Sequence, residues 1–415
     1  MEQTFLIPAI FALTYVGIAI QKIPGIQIDR PSGVMVGGTL LVLTGLVSLR
    51  EAYTFIDPDV MLFLLGLMIQ IAYLEHAGFF EWVAGELARR ARTAAGLLAA
   101  TLLASALLSA FFVNDTICLL FTPILLRATR RLHLNPVPYL IAIAMGANFG
   151  SALTITGNPQ NMYIGIQSGL PFLRFMAVMA VPVAFALGLT YAGLRIAYRA
   201  EITREPLPRE PLKGGEPELI ARDRVLIAKT LASMGLTLGL FIAGAGYPLA
   251  ALVGASLIVV IGRVKPRAAF TRIEWNVLLF FAGLFVVMGA FAKAGYVAAL
   301  LGGVEPMLAA AGPWSAALLS LVTVLFSNLV SNVPAVILMQ PLVRHLGGGD
   351  SLWLLLALAS TFAGNLTLVG SVANLIVAEQ ASTQGIHLGF WTYLKVGLPV
   401  TVLAAAAGTL WLSWF

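Results

Sequence analysis

Charge is what this chain has least of. Lys, Arg, Asp and Glu make up 11% of its 415 residues, against 59% hydrophobic residues. Soluble domains carry about 25% charged residues, so an ordinary soluble fold is excluded. Cysteine is nearly absent: Cys118 stands alone, which rules out an internal disulfide and leaves the redox compartment open. No basic region precedes Phe5, so the first apolar run reads as a retained span rather than a cleaved signal. No phosphate-cradling Gly-Lys-Ser/Thr loop occurs, so the chain does not power itself with ATP. There is no second deep aspartate and no Ser/His pairing at depth, so an intramembrane enzyme is not expected. The formal charge of +6 does not point to nucleic acid, because no RNA- or DNA-binding pattern accompanies it.

What is there is a series of apolar runs, with a mean hydropathy of +0.92. A span needs about 20 mostly apolar residues. In lipid every backbone group must be satisfied within the segment, so these runs are expected to be helices. The reading is an all-α polytopic membrane protein, one integrated bundle. Residues 5–23 predict a first helix closed by a Pro24-Gly25 turn, and Pro31 opens a second. Residues 60–74 predict a third. Residues 79–92 set Phe79, Trp82, Val83 and Leu87 against Glu81, Glu86, Arg89 and Arg90, the pattern of a helix lying at the interface.

Residues 93–126 are too long for one span and short for two. Arginines flank both ends, Arg89, Arg90 and Arg92 before and Arg127, Arg130 and Arg131 after. The positive-inside rule then puts both ends on the cytoplasmic side, and the segment becomes a re-entrant hairpin turning at Asn114-Asp115. Asp115 is the only charged residue in that stretch. An acid at membrane depth is costly and usually faces an ion or solute path. The bland alternative is a carboxylate capping a half-helix that starts at Thr116. Cys118, one turn further, reads as packing.

The second half repeats the first. Pro31, Gly37, Thr54, Ile56, Val60, Gly66, Ala77 and Gly78 match Pro248, Gly254, Thr271, Ile273, Val277, Gly283, Ala294 and Gly295 at one spacing. Asn114 and Pro123 fall on Asn332 and Pro341. Leu153, Thr154, Gly157 and Asn161 fall on Leu366, Thr367, Gly370 and Asn374. Each half reads as five spanning helices plus one hairpin, the second hairpin at 314–343. An odd number of spans turns the second half upside down. The expected division is 1–198 as first inverted repeat, 199–228 as a Pro-rich cytoplasmic linker and 229–415 as second repeat. Both termini are expected outside the cytoplasm.

Within 137–167, Thr156, Gly157, Asn158, Pro159, Gln160 and Asn161 interrupt an apolar run, and within 352–379 the residues Asn365 to Asn374 do the same. Glycine and proline in the first predict a broken helix, and the repeat makes 352–379 the second. Four interrupted segments converge in this reading, with Ser331, Asn332 and Pro334 at the second tip. They supply amides, hydroxyls and free helix ends, suited to oxyanions, polar neutral solutes, Na⁺ or H⁺. None carries Lys or Arg, which tilts against a tricarboxylate or a phosphate ester. Asp115, Asn114, Thr116 and Asn332 are the expected ion-coupling residues. Thr156, Gly157, Asn158, Asn161, Ser331, Asn365, Gly370, Ser371 and Asn374 are the expected solute-binding ones.

The tips NDT and SNVP, the break TGNPQN and the run GNLTLVGSVANLIVAE resemble the ion transporter superfamily. The branch is that of bacterial arsenite permeases and Na⁺/H⁺ antiporters, which includes plant silicon efflux transporters. The resemblance implies an elevator-type carrier with a moving unit of hairpins and broken helices, a dimerising scaffold, and no cofactor beyond the coupling ion. It implies that Asn114, Thr116, Gly157, Asn161, Ser331, Asn332, Gly370 and Asn374 line the sites. Bound Na⁺ would use Asn114, Asp115, Asn161, Asn332 and Asn374. Sodium–dicarboxylate relatives carry Ser-Asn-Thr at both tips; here one tip has gained an acid. The expectation is an H⁺- or Na⁺-coupled transporter of a small oxyanion or neutral metalloid acid such as arsenite or silicic acid, in the bacterial inner membrane. The alternatives are a Na⁺/H⁺ antiporter and a sodium-coupled anion symporter.

Overall fold

The structure is a computed structural model that describes residues 2–19, 30–202 and 222–415. The Pro24-Gly25 turn and most of the linker lie outside the described residues. The described residues are helical throughout, with no strand. The first half runs α1 (Glu2–Ala19), α2 (Arg30–Leu43), α3 (Leu49–Phe55), α4 (Pro58–His76), α5 (Phe79–Arg90), α6 (Ala94–Phe111), α7 (Asn114–Arg131), α8 (Val137–Ser151), α9 (Pro159–Ser168) and α10 (Phe172–Ala197). The second runs α11 (Arg224–Ile242), α12 (Tyr247–Ile261), α13 (Pro266–Phe270), α14 (Trp275–Lys293), α15 (Tyr296–Ala311), α16 (Ser315–Val330), α17 (Asn332–His345), α18 (Asp350–Ala363), α19 (Val372–Thr383) and α20 (Phe390–Leu412).

Six of these helices, α4, α6, α10, α11, α14 and α20, are long and apolar enough to cross a membrane, and several shorter apolar helices accompany them. Local chemistry sets their starts. Ser48 and Glu51 form a capping box on α3, and the Asp57, Thr93, Asn158, Asp223 and Ser371 side chains accept from first-turn amides of α4, α6, α9, α11 and α19. Asp223 opens α11 at Arg224, so the helix begins inside the 199–228 segment read from sequence. The short connectors α3 and α13 were not expected, because seven and five residues are too few to show a helical period.

The two halves match element for element, α1 to α10 against α11 to α20. Their packing is paired in the same way: α2 lies on α14 and α12 on α4, while α8 packs on α10 and α18 on α20. α10 and α20 pack on each other. Two groups emerge. α1, α2, α4, α11, α12 and α14 form one. The hairpin helices α6, α7, α16 and α17 and the broken pairs α8–α9 and α18–α19 form the other. Within the second group α6 and α8 approach most closely. A Cβ on Gly150 would sit 2.2 Å from the Ala106 carbonyl oxygen, so only glycine permits that contact.

Candidate functional site between two hairpin tips and two broken helices

The first hairpin turns at Phe112 and Val113. Val113 has ordinary backbone angles (φ −55°, ψ 127°), and α7 begins at Asn114 with no side-chain cap bond. The helix starts two residues before Thr116, so Asp115 lies inside its first turn rather than ahead of it. There the free amide ends of α7 favour a carboxylate. Asp115 and Thr116 are half-buried, Asn114 is buried. The Asn114 backbone N–H donates to the Gly157 carbonyl (3.2 Å), which ties the tip to the first break.

The second tip differs. Ser331 takes φ 77° and ψ 160°, a region that side chains other than glycine rarely enter. Asn332 begins α17 and is 9% exposed, and its Oδ1 is buried without a hydrogen-bond donor. A Cβ on Gly364, in the second break, would lie 3.2 Å from the Asn332 amide nitrogen. Pro123 and Pro341 sit inside the return helices at matching positions.

The breaks are held open by their own side chains. Asn161 Nδ2 donates to the carbonyls of Ser151 (3.2 Å) and Thr154 (3.0 Å). Asn374 Nδ2 donates to those of Gly364 (2.7 Å) and Thr367 (3.0 Å), the same pattern 213 residues on. Both asparagines are fully buried. The Thr154 and Thr156 hydroxyls donate to the Ala110 carbonyl at the end of α6. Gly157 has no room for a side chain, since a Cβ would meet the Ser151 carbonyl at 2.2 Å. Asn158 Nδ2 reaches Ser151 Oγ (2.9 Å) and Thr361 Oγ1 (3.3 Å). Gly370 lies beside Asn328, whose amide donates to the Ala363 carbonyl (3.1 Å).

One residue that sequence reasoning missed joins the parts. Asn148 on α8, 1% exposed, accepts from Asn114 Nδ2 (2.9 Å) and Ser371 Oγ (3.1 Å). Its own Nδ2 donates to Asn365 Oδ1 and Asn374 Oδ1, both at 2.9 Å. The Tyr393 hydroxyl donates to the same Asn365 oxygen (3.2 Å). Thr361, which stands where Asn148 does at the 213-residue spacing, donates to Asn161 Oδ1 (3.4 Å). Each half thus reaches into the break of the other. The available signal was an amide alone in the apolar run IAIAMGANFGS, where an unmet polar group would be costly. Of the predicted residues, Asn114, Asn365, Ser371 and Asn374 meet around Asn148, while Asn158 and Asn161 meet at Thr361. Ser331 and Thr116 join neither cluster directly.

A profile of the citrate transporter family, CitMHS, matches residues 15–362. The chain belongs to that family. It is 32% identical over 427 residues to an uncharacterized transporter of Mycobacterium tuberculosis, covering 98% of this chain and 97% of the relative. It is 29% identical to the silicon efflux transporter LSI3 of rice, Oryza sativa subsp. japonica, with 93% of each chain covered. The fold resembles the crystal structure of the YdaH transporter of Alcanivorax borkumensis, with TM-score 0.59, 15% identity, and 100% and 98% of the chains covered. This member of the family is a multi-pass integral membrane protein and a secondary transporter of small solutes, not an enzyme.

For a family described by citrate, the centre of this member is poor in positive charge. No Lys or Arg is buried among the described residues. Nor do the described residues hold three His, Cys, Asp or Glu side chains grouped to bind a metal ion. A cation here would meet carbonyls, amide oxygens, hydroxyls and Asp115.

Proposed function

We propose that this protein is an H⁺- or Na⁺-coupled secondary transporter that moves a small neutral metalloid acid or oxyanion, silicic acid or arsenite, across the plasma membrane of a bacterium. The observation that carries the reading is the buried amide oxygen of Asn332, an acceptor without a donor at the second tip, beside Gly364 of the second break. Such an atom is satisfied by an O–H donor or by a cation, and not by a carboxylate oxygen. Neutral metalloid acids present several O–H donors and need no arginine clamp. The rice relative named for silicon efflux, similar along nearly its whole length, points to the same class.

Asp115 is the coupling group in this reading. It accepts a proton, or pairs with Na⁺, as solute occupies the space beside the tips. Two inverted repeats, re-entrant hairpins and broken helices meeting near the midplane favour alternating access by an elevator movement of the hairpin unit, with a homodimeric scaffold. The polar links at helix ends fall into two sets that fit this topology. Glu75–Arg272 (2.7 Å) and Asn135–Glu201 (2.5 Å) belong to the Arg-rich side, taken as cytoplasmic. Arg174–Asp350 (2.8 Å) and His345–Glu305 (2.8 Å) belong to the other, with both termini.

A second reading, a Na⁺/H⁺ antiporter, draws on the same acceptor, since a bare amide oxygen suits Na⁺ and the other tip carries an acid. Proteoliposomes with a trapped pH-sensitive dye separate the two. Silicic acid or arsenite should dissipate an imposed pH or Na⁺ gradient, and citrate should not. Gradient collapse by Na⁺ alone, with no solute effect, would establish the antiporter instead.

A further inference from the structure

One polar chain crosses between the two helix groups. Asp57 caps α4, its Oδ1 accepting from the Asp59 and Val60 amides at 3.0 and 3.1 Å. Its other oxygen accepts from Gln167 Nε2 at the end of α9 (2.9 Å). Gln167 Oε1 in turn accepts from Arg344 Nη2 at the end of α17 (2.6 Å). The Gln167 amide therefore lies between a carboxylate on its donor side and a guanidinium on its acceptor side. Both ends are charge-assisted, which makes them the stronger kind of hydrogen bond.

The repeat contains the same parts a second time. Glu274 is the N-cap residue of α14, as Asp57 is of α4. Gln380 follows Asn374 by the same six residues that separate Gln167 from Asn161. Arg127, about one turn before the end of α7, lies one position beyond the match of Arg344. By chain direction this second set lies on the opposite face. Among the described residues no hydrogen bond or ion pair joins Glu274, Gln380 and Arg127, and the charged neighbour of Glu274 is Glu75, a like charge. The packing shows the same asymmetry: α4 lies along α9, whereas α14 has at most a marginal contact with α19.

We propose that Asp57–Gln167–Arg344 and Glu274–Gln380–Arg127 are alternating latches, positioning residues that hold the hairpin unit at one end of its travel or the other. The inference rests on the alternating-access reading above. In an inverted-repeat carrier, exchanging the conformations of the two repeats converts one end state into the other. The contact made now by α4 and α9 then becomes one between α14 and α19, and Glu274 gains the partners that Asp57 gives up. The closed latch marks the state seen here.

The test uses spin labels beside the latches rather than on them. One pair is Asp59→Cys with Ser168→Cys, the other Asn276→Cys with Ser382→Cys, with the fully buried Cys118 left in place. Pulsed distance measurements on the full chain in proteoliposomes should give two populations. In one the first pair is near and the second far, and in the other this is reversed. Asp57→Asn should shift the ratio toward the second population by about threefold or more, and Glu274→Gln should shift it the opposite way. Two populations indifferent to both substitutions would overturn the latches while leaving alternating access intact. One unmoving distance distribution in every variant, with or without silicic acid, would overturn alternating access and the latches with it.

Discussion

The two hairpin tips are built from matching sequence and finished differently. The first is closed. Asn114 gives its side-chain amide to Asn148 and its backbone N–H to Gly157, Val113 is unstrained, and the acid sits in the first turn of α7. The second is open-ended. Ser331 holds a costly backbone conformation, and the Asn332 oxygen, buried to the same degree as its neighbours, has nothing to accept from. Strain and an unmet polar atom persist only where the surroundings impose them, and they gather at ligand sites. The difference supports the division of labour proposed above, in which the first tip would hold the coupling charge in a fixed frame and the second would be completed by the solute.

The comparison can be broken most severely at its shared hub. Asn148→Leu would leave the Asn114, Asn365, Ser371 and Asn374 groups facing an apolar side chain. A loss of about 2–3 kcal/mol is expected, seen as a fall in the thermal unfolding midpoint in detergent, together with loss of transport. Next come the tips themselves. Asn114→Ala should cost about 1–2 kcal/mol of stability, because Asn148 loses one of the two donors to its oxygen. Asn332→Ala should cost less than about 0.5 kcal/mol, since its oxygen makes no bond to lose, yet raise the solute KM about tenfold or more. Equal stability losses at the two positions would erase the distinction between a closed and an open tip. The smallest effect is expected at Ser331→Gly, which should raise stability by about 1 kcal/mol by removing the backbone penalty, measured by the same unfolding assay.

Much of this fold was legible in the sequence because its signals are local. The amphipathic stretch became α5 (Phe79–Arg90) nearly to the residue; glycine and proline marked the first break, at 152–158, and glycine and asparagine the second, at 364–371. The helix ends differed by a few residues, as where α4 starts at Pro58 rather than Val60, because Asp57 and Pro58 supply a cap outside the apolar run. What stayed hidden depends on contacts between distant parts. Asn148 looks like one polar residue in a small-residue helix until Asn365 and Asn374, more than 200 residues away, turn out to be its partners. The amides of Asn161 and Asn374 are spent on stitching the broken backbone, a use that spacing alone does not distinguish from ligand contact. The tip positions themselves, Asn114 and Asn332, were legible as a pair; their inequality was not, since it arises from what faces each one.

The central claim, that Asp115 at the closed tip couples solute to an ion, is tested most directly by comparing gradient-driven uptake with solute counterflow in proteoliposomes bearing Asp115→Asn. Coupling through Asp115 needs its titratable or ion-pairing carboxylate; exchange of bound solute across the membrane does not. The account predicts that the variant keeps counterflow of silicic acid or arsenite while uptake no longer responds to an imposed pH or Na⁺ gradient. Gradient-driven uptake at the wild-type level in Asp115→Asn would contradict it and move the coupling site to the second tip, at Asn332.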